Sequence, residues 1–252
     1  MRSSEKVAIV TGGSRNVGAT IAEALLEDGF IVYICSRTLE ELEKAKRQMK
    51  GVRIRQLDIR DGVGILAWVD EIFKETGRID VLVNNAALTT PLGPIVDNDL
   101  DEWIQTLEVN LLGTLRFSKA VLPYMIQQKE GAIINLGGGG SAYPRADHSA
   151  YACSKAAIVR FTDTLAEEVR EHNIRVNVLS PGKQYSKMRE LDRDFGIPFP
   201  DEWDDREKVK ALTRFLVTTT ITGKFIHIND KYQLFTDEIM KSELYTLRRI
   251  NP

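Results

Sequence analysis

Short apolar runs alternate through most of the chain with longer segments whose apolar residues return every three or four positions. The runs Val7–Val10, Ile31–Cys35, Val52–Leu57, Asp80–Asn84, Ala132–Leu136, Ile174–Leu179 and Lys224–Ile228 are rich in Val and Ile and bounded by Gly, Asp or Asn, as strands are. Helical spacing marks Val17–Glu27, Leu39–Met49, Ile65–Glu75, Leu100–Tyr124 and Ser149–Glu171. Strands this continuously apolar are buried on both faces, so the alternation predicts a doubly wound α/β sheet of about seven mostly parallel strands with helices on both sides. No fixed-period repeat or low-complexity linker interrupts it, and residues 1–252 read as a single domain. The least regular stretch, Pro181–Lys208, carries Gly182, Gly196, Pro198 and Pro200 among many charges. It would emerge beyond the carboxyl ends of the strands, where such sheets bind ligands. Residues 183–215 are therefore read as a substrate loop or lid, with a merely variable surface loop as the alternative.

Composition narrows the class. Hydrophobic residues make up 43% and charged residues 28%, the balance of a soluble globular chain. Lys+Arg 34 against Asp+Glu 36 leaves a net charge of −2, so no bulk attraction to nucleic acid or to an anionic membrane follows. Cys35 and Cys153 support neither a disulfide framework nor a cysteine metal site, and no metal is expected. No apolar stretch approaches the roughly 20 residues of a membrane span, and the opening residues do not read as a signal peptide. The expected setting is the cytoplasm.

After the first strand comes Thr11-Gly12-Gly13-Ser14-Arg15-Asn16-Val17-Gly18 and then a helix. Glycines in such a turn let backbone approach a pyrophosphate, and the helix N-terminus offers unpaired N–H groups. The spacing misses G-x-G-x-x-G. It resembles the T-G-x-x-x-G-x-G turn of the short-chain dehydrogenase/reductase family, with Thr11, Gly12 and Gly18 in place and Asn16 where the middle glycine would stand. Asn tolerates positive φ better than most residues, so the turn can survive the exchange. The second strand ends in Cys35-Ser36-Arg37 without an acidic residue, and Arg15 sits in the turn. A guanidinium beside a hydroxyl suits the 2′-phosphate of NADP(H), which is favoured over NAD(H).

Tyr151 and Lys155 stand at i and i+4 of a helix, on one face. A phenol titrates near 10, about three units above neutrality, and a cation beside it stabilises its phenolate. Asn110 within Val109-Asn110-Leu111-Leu112-Gly113, Asn84-Asn85-Ala86-Ala87 after the fourth strand and Pro181-Gly182 after the sixth complete a series resembling the same family from about residue 6 to residue 228. That resemblance implies a Rossmann-like fold and hydride transfer between the nicotinamide cofactor and a small-molecule carbonyl or alcohol. It implies Tyr151 as proton donor or acceptor, Lys155 as the cation that lowers its pKa and holds the ribose, and Asn110 as the residue fixing a water in the proton path. Around the cofactor it places Gly12, Ser14, Arg15, Asn16, Val17 and Gly18, then Ser36 and Arg37, Asp58 and Ile59 at the adenine, and Asn85. Tyr151, Lys155, Pro181, Gly182 and Ser186 at the carboxamide complete that set. It also implies a homodimer or homotetramer assembled through the long helices.

One departure matters. The family's catalytic serine lies 13 positions before the tyrosine, and here that position is Gly138, inside the run Gly137–Gly140. Such a donor is worth on the order of 10²–10³ in rate. A glycine N–H, Ser141 through a shifted loop, His148 or a substrate group is left to replace it, so Gly138, Ser141 and His148 are candidate substrate contacts. The alternative is a nucleotide-binding relative without turnover, a redox sensor or regulatory subunit. Arg145, Lys183, Lys187 and Arg189 read either as a clamp for an anionic substrate or as solvated surface. Beyond the last strand, 231–252 is an extension too apolar for a free tail, expected to cover a neighbouring subunit or the cleft.

Overall fold

The computed structural model, which describes residues 5–198 and 200–234, contains strands β1 (Val7–Thr11), β2 (Ile31–Ser36), β3 (Arg53–Gln56), β4 (Val81–Asn84), β5 (Gly131–Leu136), β6 (Ile174–Ser180) and β7 (Phe225–His227). They form one sheet in the order β3-β2-β1-β4-β5-β6-β7, and every neighbouring pair is parallel. Around it lie helices α1 (Asn16–Glu27), α2 (Leu39–Gln48), α3 (Gly62–Thr76), α4 (Leu100–Leu107), α5 (Gly113–Gln128), α6 (Ser149–Glu168), α7 (Lys187–Asp194) and α8 (Arg206–Thr218).

Alternate residues of a strand face opposite sides of a sheet, and β1 shows how this divides the interior. Ala8 and Val10 pack with Ile21 and Leu25 of α1, Leu42 of α2 and Leu212 of α8. Val7 and Ile9 pack with Ile65 and Trp68 of α3, Phe117 and Val121 of α5 and Leu165 of α6. Two apolar cores, one on each face, account for a strand such as β1 in which Val7, Ala8, Ile9 and Val10 are all apolar. The chain winds outward through β2 and β3, then returns past β1 to β4, opening a crevice at the carboxyl ends of β1 and β4. Thr11 and Asn85 stitch that crevice. The Asn85 backbone N–H donates to Thr11 Oγ1 at 2.9 Å, and its Nδ2 donates to the carbonyls of Thr11 at 2.9 Å and Gly12 at 3.1 Å.

Four elements differ from the sequence expectation, and the first is α8: residues 206–215 of the stretch read as a substrate loop or lid belong to a helix whose Val209, Leu212 and Leu216 are fully buried in the core beside α1. The helix expected over Leu100–Tyr124 is two helices, α4 and α5, joined by a π-turn over Glu108–Leu112, and α5 continues through Pro123 to Gln128. Leu100–Tyr124 keeps one apolar periodicity across a place where the winding widens, and periodicity is blind to that. The irregular stretch contains α7, whose eight residues KMRELDRD carry no apolar stripe that would announce a helix; Ser186 caps it, its Oγ accepting from the Arg189 N–H at 3.4 Å. At the sheet edge, β3 is shorter than Val52–Leu57, its end residues Val52 and Leu57 being buried outside the ladder. Of the 231–252 extension, residues 235–252 lie outside the described residues; Tyr232 is buried against Phe215, ring centroids 5.1 Å apart. Among the described residues no helix is long and apolar enough to cross a membrane.

Candidate active site

The glycine turn after β1 keeps its shape without the middle glycine. Gly12 has φ 62° and Asn16 has φ 51°, so asparagine takes the left-handed backbone that glycine would supply. No side chain caps the first turn of α1. A Cβ at Gly18 would overlap the Gly12 carbonyl, and one at Gly12 would lie 3.0 Å from Ala86 Cα, so this turn is built as a close backbone cradle. An uncapped helix N-terminus behind a bare backbone cradle fits a pyrophosphate, hence a dinucleotide.

The cleft running from this cradle is lined by every residue expected around the cofactor: Gly12, Ser14, Arg15, Asn16, Val17, Gly18, Ser36, Arg37, Asp58, Ile59, Asn85, Tyr151, Lys155, Pro181, Gly182 and Ser186. Glu41, which sequence reasoning passed over, lines it too. Its Oε1 lies 2.6 Å from Arg15 Nη1 and 3.2 Å from Lys187 Nζ, so one carboxylate bridges the glycine turn and α7. Asp58 is paired with Arg60 at 2.7 Å, and chiefly that hydrogen bond holds its carboxyl below the usual range.

At the other end of the cleft, α6 presents Tyr151 and Lys155, 8% and 3% exposed. Lys155 Nζ donates to the Leu136 carbonyl at 2.7 Å and lies 5.7 Å from the centre of the Tyr151 ring. Burial pulls the Lys155 ammonium down to about 8. Burial likewise raises the Tyr151 phenol above its ordinary value, with the Arg145 and Arg189 guanidiniums pulling the other way. Arg145 Cζ lies 5.8 Å from the same ring. The cations that pull the phenol down are thus two arginines that the family pattern does not specify, and not Lys155, to which the resemblance gave that part.

Asn110 does not line the cleft. It sits fully buried in the π-turn, a winding that recurs at functional sites. Its Oδ1 accepts the Leu88 N–H at 2.7 Å, while Nδ2 donates to the Leu88 carbonyl and to Ser154 Oγ, each at 2.9 Å. Ser154 Oγ in turn donates to the Tyr151 carbonyl at 2.7 Å. One side chain therefore ties the loop after β4 to the turn of α6 that carries Tyr151. Asn110→Ala is expected to cost about 2–4 kcal/mol of unfolding free energy, because three buried bonds lose their partner at once. Urea denaturation checks it; a loss near zero would show the tie to be dispensable.

The glycine run separates the candidate substrate contacts. Gly138 lines the cleft, but its N–H already donates to Ser141 Oγ at 3.1 Å. Ser141 is 2% exposed and closes that tight turn instead of facing the cleft. His148, 1% exposed, also lies outside the lining: Nδ1 is 2.8 Å from the Ala146 carbonyl and Nε2 is 3.0 Å from Asp192 Oδ1. The structure therefore does not bring Ser141 or His148 to the cleft. A Cβ at position 138 would overlap the Tyr151 hydroxyl, so that hydroxyl occupies the space a side chain there would need.

Arg145 and Arg189 do line the cleft, and so does Asp192, unnoticed in the sequence. Lys187 is engaged with Glu41, and Lys183 is not part of the lining. Among the described residues no group of His, Cys, Asp or Glu is arranged to hold a metal ion.

Comparison with known proteins finds a family model, relatives and solved structures to which the chain is similar. The family model described as short chain dehydrogenase matches residues 6–195. The 2,3-dihydro-2,3-dihydroxybenzoate dehydrogenase of Bacillus subtilis is 35% identical over 188 residues, covering 73% of this chain and 72% of that protein. A 3-oxoacyl-[acyl-carrier-protein] reductase of Vibrio harveyi is 34% identical over 241 residues, 89% of this chain and 96% of its own. Among solved structures, NAD+-bound xylitol dehydrogenase superposes with a TM-score of 0.82 at 26% identity, covering 88% of this chain and 97% of that one.

Proposed function

The chain belongs to the short chain dehydrogenase family, and on that premise we propose that it is an NADP(H)-dependent oxidoreductase interconverting a carbonyl and an alcohol. The observation that carries this reading is the meeting, in one cleft, of a bare backbone cradle at an uncapped helix N-terminus with a buried tyrosine and lysine. The relatives named above are dehydrogenases and reductases, and nothing favours a binding protein without turnover over them.

The nicotinamide, when bound, supplies or accepts the hydride. The chain's own residues do the rest. Gly12, Asn16 and Gly18 receive the pyrophosphate against backbone. Tyr151, kept protonated by burial, gives its proton to the carbonyl oxygen as charge develops there, or takes one from the alcohol in the reverse direction. Lys155, anchored on the Leu136 carbonyl, holds positive charge beside the phenol and reaches the ribose. Asn110 keeps the turn of α6 that carries Tyr151 in place.

Support for NADP(H) is Arg37 with Ser36 at the adenosine end and no acidic residue ending β2, with Arg15 beside them although it is paired to Glu41 at 2.6 Å. The xylitol dehydrogenase holds NAD+, so the preference rests on these residues alone. Arg37→Asp is expected to weaken NADPH about tenfold or more and to leave NADH nearly unchanged, since only the former carries the charge Arg37 meets. Fluorescence titration with both nucleotides reads this, and unchanged NADPH affinity would overturn the assignment. We also propose assembly into a homodimer or homotetramer through the long helices α5 and α6, with the short α4 beside them, whose Leu100 and Ile104 are 68% and 47% exposed.

A further inference from the structure

At the substrate end of the cleft one buried carboxylate holds two guanidiniums. Asp192 of α7 is 2% exposed; its Oδ2 is 2.7 Å from Arg145 Nη2 and 3.1 Å from Arg189 Nη1. Its other oxygen, Oδ1, faces His148 Nε2 at 3.0 Å. Both ring nitrogens of His148 face oxygen atoms, Nε2 the Asp192 carboxylate and Nδ1 the Ala146 carbonyl at 2.8 Å. Burial works to raise the Asp192 pKa, but His148, Arg145 and Arg189 outweigh it and hold the carboxyl below its usual range. One negative charge is thus set against two permanent positive charges and a histidine.

The two arginines are only partly exposed, their side chains 18% and 24%, and both line the cleft beside Tyr151. Each guanidinium carries five N–H donors, of which Asp192 takes one from each in the hydrogen bonds just given. Charge that is half-desolvated, unbalanced and already held in position attracts an anion more strongly than surface charge does, because little conformational freedom is lost on binding.

We propose that the substrate carries an anionic oxygen group, a carboxylate or a phosphate, beside the reacting carbon, and that Arg145 and Arg189 bind it with Asp192 as the residue that positions them. The inference rests on the dehydrogenase reading for what lies next to the anion, but not for the anion site itself. It also explains how the cleft works with glycine at 138: the arginines place positive charge near the developing oxyanion, where the family pattern has a hydroxyl.

The test is calorimetric titration of the NADP+-saturated protein with malate and with glycerol phosphate, set against their uncharged counterparts butanetriol and glycerol. Binding of malate or glycerol phosphate with no detectable binding of the neutral polyols is expected, and which anion binds tells carboxylate from phosphate. In Arg145→Met and in Arg189→Met the affinity should fall about 10- to 100-fold, the worth of a lost charge-assisted hydrogen bond, with Arg145→Lys intermediate. Melting curves of each variant, and its retained NADP+ affinity, separate loss of the site from loss of the fold. Equal affinity of the arginine variants, equal binding of the neutral polyols, or no anion binding by a protein that binds NADP+ would each overturn the proposal. If no nicotinamide nucleotide binds, the dehydrogenase reading fails by itself; the same titrations on the nucleotide-free protein then decide the anion site.

Discussion

Tyr151→Phe is expected to lower kcat/KM for carbonyl reduction by about 10²- to 10⁴-fold, the range in which a positioned proton donor contributes. The hydroxyl alone is removed, and the ring remains 5.8 Å from Arg145 and 5.7 Å from Lys155. NADPH affinity should therefore change by no more than about twofold, and the loss should fall on kcat. Burial keeps Tyr151 protonated across the neutral range, so it is poised as an acid, and reduction needs no prior ionisation. Lys155 sets the upper limit. Its ammonium, brought down to about 8 by burial, is present below that pH and lost above it. The profile of kcat/KM for reduction, which reports free-enzyme groups, should hold level below about pH 8 and fall above it. Turnover of Tyr151→Phe within a few-fold of the unaltered protein would remove the tyrosine from the reaction.

Much of this was legible because parallel sheets write themselves in local sequence. Val7–Val10 is apolar at every position and Ala132–Leu136 at every position but Asn135, a pattern that a strand covered on both faces requires. The glycine turn was legible because Gly12, Gly18 and Asn16 meet a backbone need that few residues satisfy, and φ 51° at Asn16 is the conformation its side chain tolerates. The arginine and aspartate cluster was not legible. Asp192 lies in KMRELDRD, which reads as a solvated charged helix; its burial depends on Arg145 and His148, 47 and 44 residues earlier, docking across the cleft. Ser141 and His148 misled for the converse reason. Both stand near Tyr151 in sequence, yet their polar atoms are taken by the Gly138 N–H and by Asp192, bonds that no local spacing announces. Glu41 follows the same rule, since its partners Arg15 and Lys187 lie on two other segments.

Position 138 then separates two ideas of what the glycine run does. If it merely marks a lost serine, adding a methyl group there should matter little. In this structure a Cβ at 138 would overlap the Tyr151 hydroxyl, whose place beside the Gly138 backbone exists because no side chain stands there. The obstructing atom is the tip of a side chain, so the ring can tilt away cheaply and Gly138→Ala should melt within a few degrees of the unaltered protein, the range about 1 kcal/mol spans. Tilting moves the proton donor, however, and a misplacement of about 1 Å costs on the order of 10²-fold in rate. Gly138→Ala is accordingly expected to keep its fold and its NADPH affinity while losing about 10²-fold in kcat. Gly138→Ser should lose less, because its hydroxyl adds a donor near the substrate oxygen while its Cβ displaces the tyrosine equally. Steady-state kinetics of the two variants, beside their melting curves, decides this. A Gly138→Ala protein with unchanged kcat would mean that Tyr151 does not work from the position it holds against Gly138, and the geometry assigned to the proton transfer would have to be redrawn.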